Sequence, residues 1–248
     1  MDPTRNAYEL FAPFYDDFTH QNDYEMWLGS LLPELEKRGL KQGRLLDVGC
    51  GTGRAFEPML RRGWEIVGCD LAPAMLEQAR QKYGDAVPLH VADVRQLPVL
   101  GQFELVWALN DVINYVVEDS DLERAFAGMA ANLAPGGRLL FDANTLLQFR
   151  EEFTAQDETR QVGEWRWAGQ SAEVEAGGVF EAEVSGGDVA AHVHRERHWT
   201  QEMISEALAA AGLRLLASLG QHDDGKVVVL TEPPDEWRDH KVIHIAGL

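Results

Sequence analysis

Cysteine is nearly absent: Cys50 and Cys69 are the only two in 248 residues. Both fall in or beside apolar, strand-like runs, which excludes a disulfide framework and suits reduced thiols. Basic residues are scarce against acidic ones, 22 Lys and Arg to 41 Asp and Glu, for a formal net charge of −19. Nucleic-acid binders neutralise phosphates with Lys and Arg, so no nucleic-acid partner is expected. A run of about 18 apolar residues, the length that spans a bilayer, is also missing. Met1–Asn6 lacks a basic stretch leading into an apolar one, so the expectation is a cytoplasmic protein without an export signal or membrane anchor. No Cys ligands stand at zinc spacing, and no metal is expected.

What is present is the composition of one sizeable globular domain with room for an insertion, 45% hydrophobic and 25% charged. Tyr8–Phe18 is dense in aromatics, and Tyr24–Leu35 has apolar residues at helical spacing, so two short helices are predicted before the first strand. From Arg44 onward element types alternate: a strand to Val48, a helix Arg54–Arg62, a strand Glu65–Cys69, a helix Pro73–Tyr83, strands Pro88–Ala92 and Phe103–Ala108, a helix Asp119–Leu133 and a strand Arg138–Asp142. Such βα alternation with continuous apolar strands predicts an α/β fold, a doubly wound parallel sheet covered on both faces, with ligands at the strands' carboxyl ends. Between Arg160 and Trp199 the pattern turns to period 2, with turn signals at Gly177-Gly178 and Ser185–Asp188. This predicts an antiparallel β insertion of three or four strands. A helix Gln201–Ala211 and a hairpin of strands Leu213–Leu219 and Lys226–Thr231 follow. The tail from Pro233 carries one more strand-like run, Val242-Ile243-His244-Ile245, whose place in the sheet is open.

Leu45-Leu46-Asp47-Val48-Gly49-Cys50-Gly51-Thr52-Gly53 reads as a buried strand entering a glycine-paved turn, a backbone-built ligand site. The dinucleotide pattern G-x-G-x-x-G requires its third glycine at position 54, where Arg54 stands; the third glycine is Gly53. A carboxylate at Asp70, ending the next strand, suits a ribose diol under either cofactor. Together with Cys69–Leu76, Ala92-Asp93-Val94 and Leu133–Asp142, the stretch resembles the successive motifs of class I S-adenosylmethionine-dependent methyltransferases. The resemblance is strong over residues 40–145 and implies a Rossmann-like seven-stranded sheet whose last strand is antiparallel. It further implies that Gly49, Gly51 and Gly53 lie against the methionine and ribose of S-adenosylmethionine, with S-adenosylhomocysteine as product. Asp70 holds the ribose hydroxyls, Asp93 and the Val94 N–H meet the adenine edge, and Leu71 and Met75 flank the ring. Asp47 either orders the glycine loop or contacts the cofactor's amino group. The opening Tyr8, Phe11, Ala12, Tyr15 and Asp16 resemble the first helix of small bacterial members, among them amino-sugar dimethyltransferases, and this places Tyr15 at the methionine end.

Methyl transfer from a sulfonium expels a neutral leaving group, so it asks for proximity and orientation more than for an acid. The acceptor, a small molecule methylated on N or O, is expected beyond the fourth strand at Asn110–Tyr115. There Asn110 and Asp111 stand nearest the methyl, and Asn114 and Tyr115 orient the substrate. His192, His194, Glu196 and His198 share one strand face. Family likeness implies His194 as general base or substrate contact, with Arg197 steering a carboxylate or holding an Asp; Trp165 and Trp167 wall the pocket or a subunit interface. The expected organisation is N-terminal helices over the cofactor (1–40), an α/β domain (41–145 and 200–232), the insertion as lid or homodimer contact (146–199) and a tail (233–248). A nicotinamide-dependent oxidoreductase and a non-catalytic S-adenosylmethionine-binding module are the alternatives.

Overall fold

The computed structural model describes residues 2–155, 160–162, 164–186, 189–222 and 226–248. Three helices open the chain: α1 (Pro3–Phe11), α2 (Tyr15–Phe18) and α3 (Tyr24–Glu36). Asp2 and Asp23 cap α1 and α3 by accepting from the backbone N–H groups of Arg5 and Met26 at 3.1 and 2.9 Å, satisfying donors that a helix start leaves orphaned. The alternating segment gives β1 (Arg44–Val48), α4 (Glu57–Arg61), β2 (Glu65–Asp70), α5 (Pro73–Tyr83), β3 (Leu89–Val91), β4 (Phe103–Ala108), α6 (Asp119–Ala131) and β5 (Leu133–Asn144). After α7 (Leu146–Phe153) come β6 (Arg160–Val162), β7 (Trp165–Gly169), β8 (Val179–Gly186) and β9 (Val189–Arg197). The chain then runs through α8 (Gln201–Ala210), β10 (Arg214–Gln221), β11 (Val227–Val229) and β12 (Lys241–Gly247).

The main sheet has the order β11-β10-β12-β5-β4-β1-β2-β3, with β1 to β5 parallel. Alternate residues of its central strands feed two cores. Leu46, Val48, Val106, Ala108, Leu139 and Phe141 face one side, and Leu45, Leu105, Trp107 and Leu140 face the other. Chain direction out of β1 and β4 diverges to opposite halves of the sheet, which opens a crevice at their carboxyl ends.

Two expectations are corrected. The sheet has eight strands, not seven, and the strand antiparallel to β5 is β12, drawn from the 233–248 tail that the sequence sets apart from the domain. β12 lies between β5 and β10, with Val242, Ile243, Ile245 and Ala246 at most 1% exposed, while the β10–β11 hairpin supplies the edge. A short apolar run fits an edge or a centre equally well, and only the pairing partner, about a hundred residues upstream, decides. The second is α7, absent from the expected elements although Leu146, Leu147, Phe149 and Phe153 are spaced for a helix and Thr145 caps it.

β6 to β9 form a separate antiparallel sheet within the expected insertion. Phe180, Ala182 and Val184 of β8 are buried, as are His192, His194 and Glu196 of β9, so the histidine-bearing face looks inward. α1 covers it, with the Phe11 ring 5.8 and 5.9 Å from those of His192 and His194.

Candidate functional site

The glycine turn is shaped by what stands against it. A Cβ on Gly49, where φ is 74°, would lie 2.5 Å from a Val112 methyl, so neither the backbone nor the space admits a side chain. Gly51 donates its N–H to Asp70 Oδ2 at 2.8 Å, and the Ala72 N–H donates to Oδ1 at 2.8 Å. Asp70 thereby staples the turn to the end of β2, with each oxygen keeping a further lone pair. Burial pushes its pKa up to about 6 against the pull of those N–H donors.

Above the turn lies a cleft lined among others by Tyr15, Gly49, Gly51, Asp70, Leu71, Met75, Asp93, Val94, Asn110 and Tyr115. Its lining of bare backbone, two carboxylates and apolar faces is that of a small-molecule site. Asp93 is gripped by its neighbour Arg95, which donates from Nε and Nη2 at 2.6 to 3.0 Å and also reaches Asp2. The far end opens on a second, wider chamber of about 670 Å³, and Tyr8, Tyr15, Tyr24, Asn110 and Tyr115 line both spaces.

The wall between them is held under strain. Asn110 and Asp111 have φ of 61° and 68°, left-handed values that non-glycine residues rarely take. Asn110 donates to the Tyr24 hydroxyl at 2.7 Å, and the Lys241 ammonium bonds Asp111 while standing 3.2 Å from Asp142. Burial works to lower the pKa of Lys241, but the two carboxylates outweigh it and keep the ammonium charged. In the chamber, Tyr115 Oη lies 2.8 Å from His194 Nδ1, and the Trp167 ring is 5.1 Å from the imidazole. Burial, with His192 nearby, pulls His194 down to about 3. Glu196, also buried, is pushed well above its usual range, with hydrogen bonds from Tyr115 and Asn144 opposing the shift. A Tyr115 hydroxyl that donates to Glu196 accepts from His194 Nδ1–H, and this leaves a lone pair on Nε2.

Four expected residues lie outside both spaces. Asp47 is 1% exposed behind the loop, with one oxygen unpartnered and its pKa pushed up to about 8 by burial. Gly53 faces the Phe56 and Tyr83 rings, 2.6 and 2.5 Å from where its Cβ would be, so it is small for packing rather than for a ligand. Asn114 is fully buried as a latch, accepting from the Asn144 N–H at 3.1 Å and donating to the Arg197 carbonyl at 2.8 Å. Arg197 sits on the opposite face of β9 from His194, stacked 4.1 Å over Trp199 and bonded to Val117 O and Asp119. An odd separation along a strand puts the two on different faces. Trp165 packs on Phe14 at 4.7 Å, leaving Trp167 as the chamber wall.

Sequence reading misses Tyr8, Tyr24, Asn144, Gln221 and Lys241, which line the site. The two tyrosines read as packing residues of the N-terminal helices, and nothing local marks Lys241, which stands 130 residues from Asp111. Arg54, at the position a dinucleotide site gives to glycine, has its guanidinium occupied by Thr19 and by carbonyls of residues 16–22, which counts against a nicotinamide reading.

Comparison with known proteins agrees with this geometry. Residues 45–137 match the methyltransferase domain family. The chain is 32% identical over 152 residues to a methyltransferase-type protein of Bacillus subtilis, a match covering 59% of each. It thus spans about three fifths of that relative's length. It is 28% identical over 211 residues to dTDP-3-amino-3,6-dideoxy-alpha-D-glucopyranose N,N-dimethyltransferase of Streptomyces fradiae, over 79% of this chain and 81% of that one. The crystal structure of an S-adenosylmethionine-dependent methyltransferase from Clostridium acetobutylicum superposes with a TM-score of 0.78 at 21% identity, covering 98% of this chain and 99% of that one. Residues 45–137 thus carry the methyltransferase domain, and the fold built around it is that of the Clostridium acetobutylicum structure.

Proposed function

We propose that the protein transfers a methyl group from S-adenosylmethionine to a nitrogen or oxygen of a small molecule. The observation that carries this is the pair of spaces meeting across Tyr8, Tyr15, Tyr24, Asn110 and Tyr115, one suited to the donor and the other to the acceptor. The donor fits the residues present: Asp70 keeps lone pairs for a diol, Gly49 and Gly51 bare the backbone, and Leu71 and Met75 offer apolar faces to a ring. Bound there, S-adenosylmethionine supplies an activated methyl on a sulfonium that departs as a neutral thioether.

The chain's own residues supply orientation and dryness. Tyr15 and Tyr115 close the junction, and Lys241 holds the strained Asn110–Asp111 turn through Asp111. With a pKa of about 3, His194 stays neutral at cellular pH. Its Nε2 therefore acts as a hydrogen-bond acceptor for an acceptor N–H or O–H rather than as a store for a proton. Residues 1–40 cover the cofactor, the insertion roofs the chamber as a lid, and its outer face, with Val179 and Val193 exposed, is the surface for a homodimer. No helix among the described residues is long and apolar enough to cross a membrane; we place the enzyme in the cytoplasm, acting on small molecules and not on nucleic acid.

Calorimetric titration with S-adenosylhomocysteine and with NAD tests the donor. Binding of the first alone is expected, and binding of NAD alone overturns the reading. Small molecules incubated with the protein and isotope-labelled S-adenosylmethionine then reveal turnover, each transferred methyl replacing a hydrogen and carrying the label into the product's mass.

A further inference from the structure

The chamber beside the donor cavity carries a pattern that narrows the acceptor, given the reading of that cavity as the S-adenosylmethionine site. Among the described residues, its walls present the carboxyl groups of Asp23, Asp111, Glu151, Glu152 and Glu196 and a single Lys or Arg, Lys241. That ammonium is already committed to Asp111 and Asp142. The walls thus offer no uncommitted lysine or arginine for a phosphate, the groups that ordinarily bind one.

The unpartnered polar atoms point the same way. His194 Nε2, Asn144 Oδ1 and Gln221 Oε1 are buried without a hydrogen-bond partner, and all three residues line the chamber. His194 and Asn144 are 1% and 3% exposed. Asn144 Nδ2 is spent on Glu196 at 3.0 Å, which fixes its oxygen as the orphan. His194 Nε2 is the lone-pair nitrogen when Nδ1–H is turned to Tyr115. Buried acceptors left unmade are costly, so the cluster is complementary to a molecule that brings several donors. Around them Tyr8, Tyr115 and Trp167 present rings that favour a cation over an anion.

We propose that the methyl acceptor is an amine that enters as a cation and gives one proton to solvent water before its nitrogen lone pair takes the methyl from sulfur, and that it is rich in N–H and O–H donors and free of phosphate or diphosphate. A free amino sugar or aminated polyol meets this chemistry, and a nucleotide-linked sugar does not. The Streptomyces fradiae relative differs here, since the sugar in its name carries a dTDP group.

Two probes sharing one amine separate the cases. The full chain, saturated with S-adenosylhomocysteine, is titrated with glucosamine and with UDP-glucosamine. Glucosamine is expected to bind at least about tenfold more tightly, because the diphosphate meets carboxylates without a free cation. Gln221→Leu, which removes one of the three unpartnered acceptors, is expected to weaken glucosamine about tenfold while leaving S-adenosylhomocysteine affinity unchanged. UDP-glucosamine binding as well or better, or no glucosamine binding to a chain that binds S-adenosylhomocysteine, overturns the acceptor assignment. Failure to bind S-adenosylhomocysteine overturns the donor reading instead. The wild-type comparison stands alone if Gln221→Leu does not fold.

Discussion

Replacing Asp70 by Asn tests the donor site at the atom where structure and binding meet. The carboxylate accepts the Gly51 and Ala72 N–H groups, one on each oxygen, at 2.8 Å. Asn retains a single oxygen and turns an NH₂ toward one of those donors. Loss of one hydrogen bond costs about 1 kcal/mol and the two donors brought face to face about as much again, so the free protein loses about 2 kcal/mol below pH 6 and less above it, where Asn also removes a buried charge. The melting temperature of a chain this size then falls by roughly 4 to 8 °C. A ribose diol loses its charged acceptor as well, about 3 kcal/mol or a factor of about 100 in S-adenosylhomocysteine affinity. The pH dependence separates the two effects. The pKa of Asp70 is raised in the folded protein from 3.8 to about 6, so the folded state keeps the proton longer than the unfolded chain does. Its contribution to stability is present below pH 3.8 and is lost as pH rises through 6. The diol prefers the ionised carboxylate, so affinity has the opposite slope, falling as pH drops below about 6. Titrations of wild type and the Asp70→Asn variant across roughly pH 5 to 8, with melting curves on the ligand-free forms, read both slopes. Wild-type affinity that is flat across this range, or binding by the Asp70→Asn variant within about threefold of wild type, refutes the argument.

Gly53→Ala drives a methyl into the Tyr83 and Phe56 rings at a left-handed backbone position; a loss of about 2 to 4 kcal/mol is expected by denaturant titration, with S-adenosylhomocysteine affinity of the folded fraction changed less than about threefold. Lys241→Met strands the Asp111 and Asp142 carboxyls, and breaking a buried pair costs about 3 to 5 kcal/mol. Calorimetry is expected to show that loss, and residual activity is expected to fall further than residual fold because the Asn110–Asp111 turn is released. Tyr115→Phe removes the hydroxyl that orients His194; turnover is expected to drop about tenfold or more with donor affinity kept, and an unchanged kcat contradicts the orienting role.

Local pattern is informative wherever a fold feature is made within one βα unit. The helix Pro73–Tyr83 and the strand Phe103–Ala108 emerge with the predicted bounds because Pro73, Gly84 and continuous apolar runs mark them. The glycine spacing and Asp70 are legible for the same reason, since the turn and its staple lie within a single crossover. What depends on distant pairing is not. β12 reads as any short apolar run until β5 and β10 claim it, and Lys241 has meaning only beside Asp111. Asp47, Gly53, Asn114 and Arg197 share a different reason. Each sits within a few residues of the site, but the side chain, or for Gly53 the open face of its α-carbon, points in another direction, and sequence proximity does not carry that vector.

The position of β12 also ties the core to the site. The strand that carries Lys241 lies later in the chain than every other strand, yet it fills the slot between β5 and β10 and secures the turn beside the donor. Loss of β12 would therefore open the sheet between β5 and β10 and free the Asn110–Asp111 turn together, so the integrity of the core and the shape of the junction between the two spaces rest on one strand.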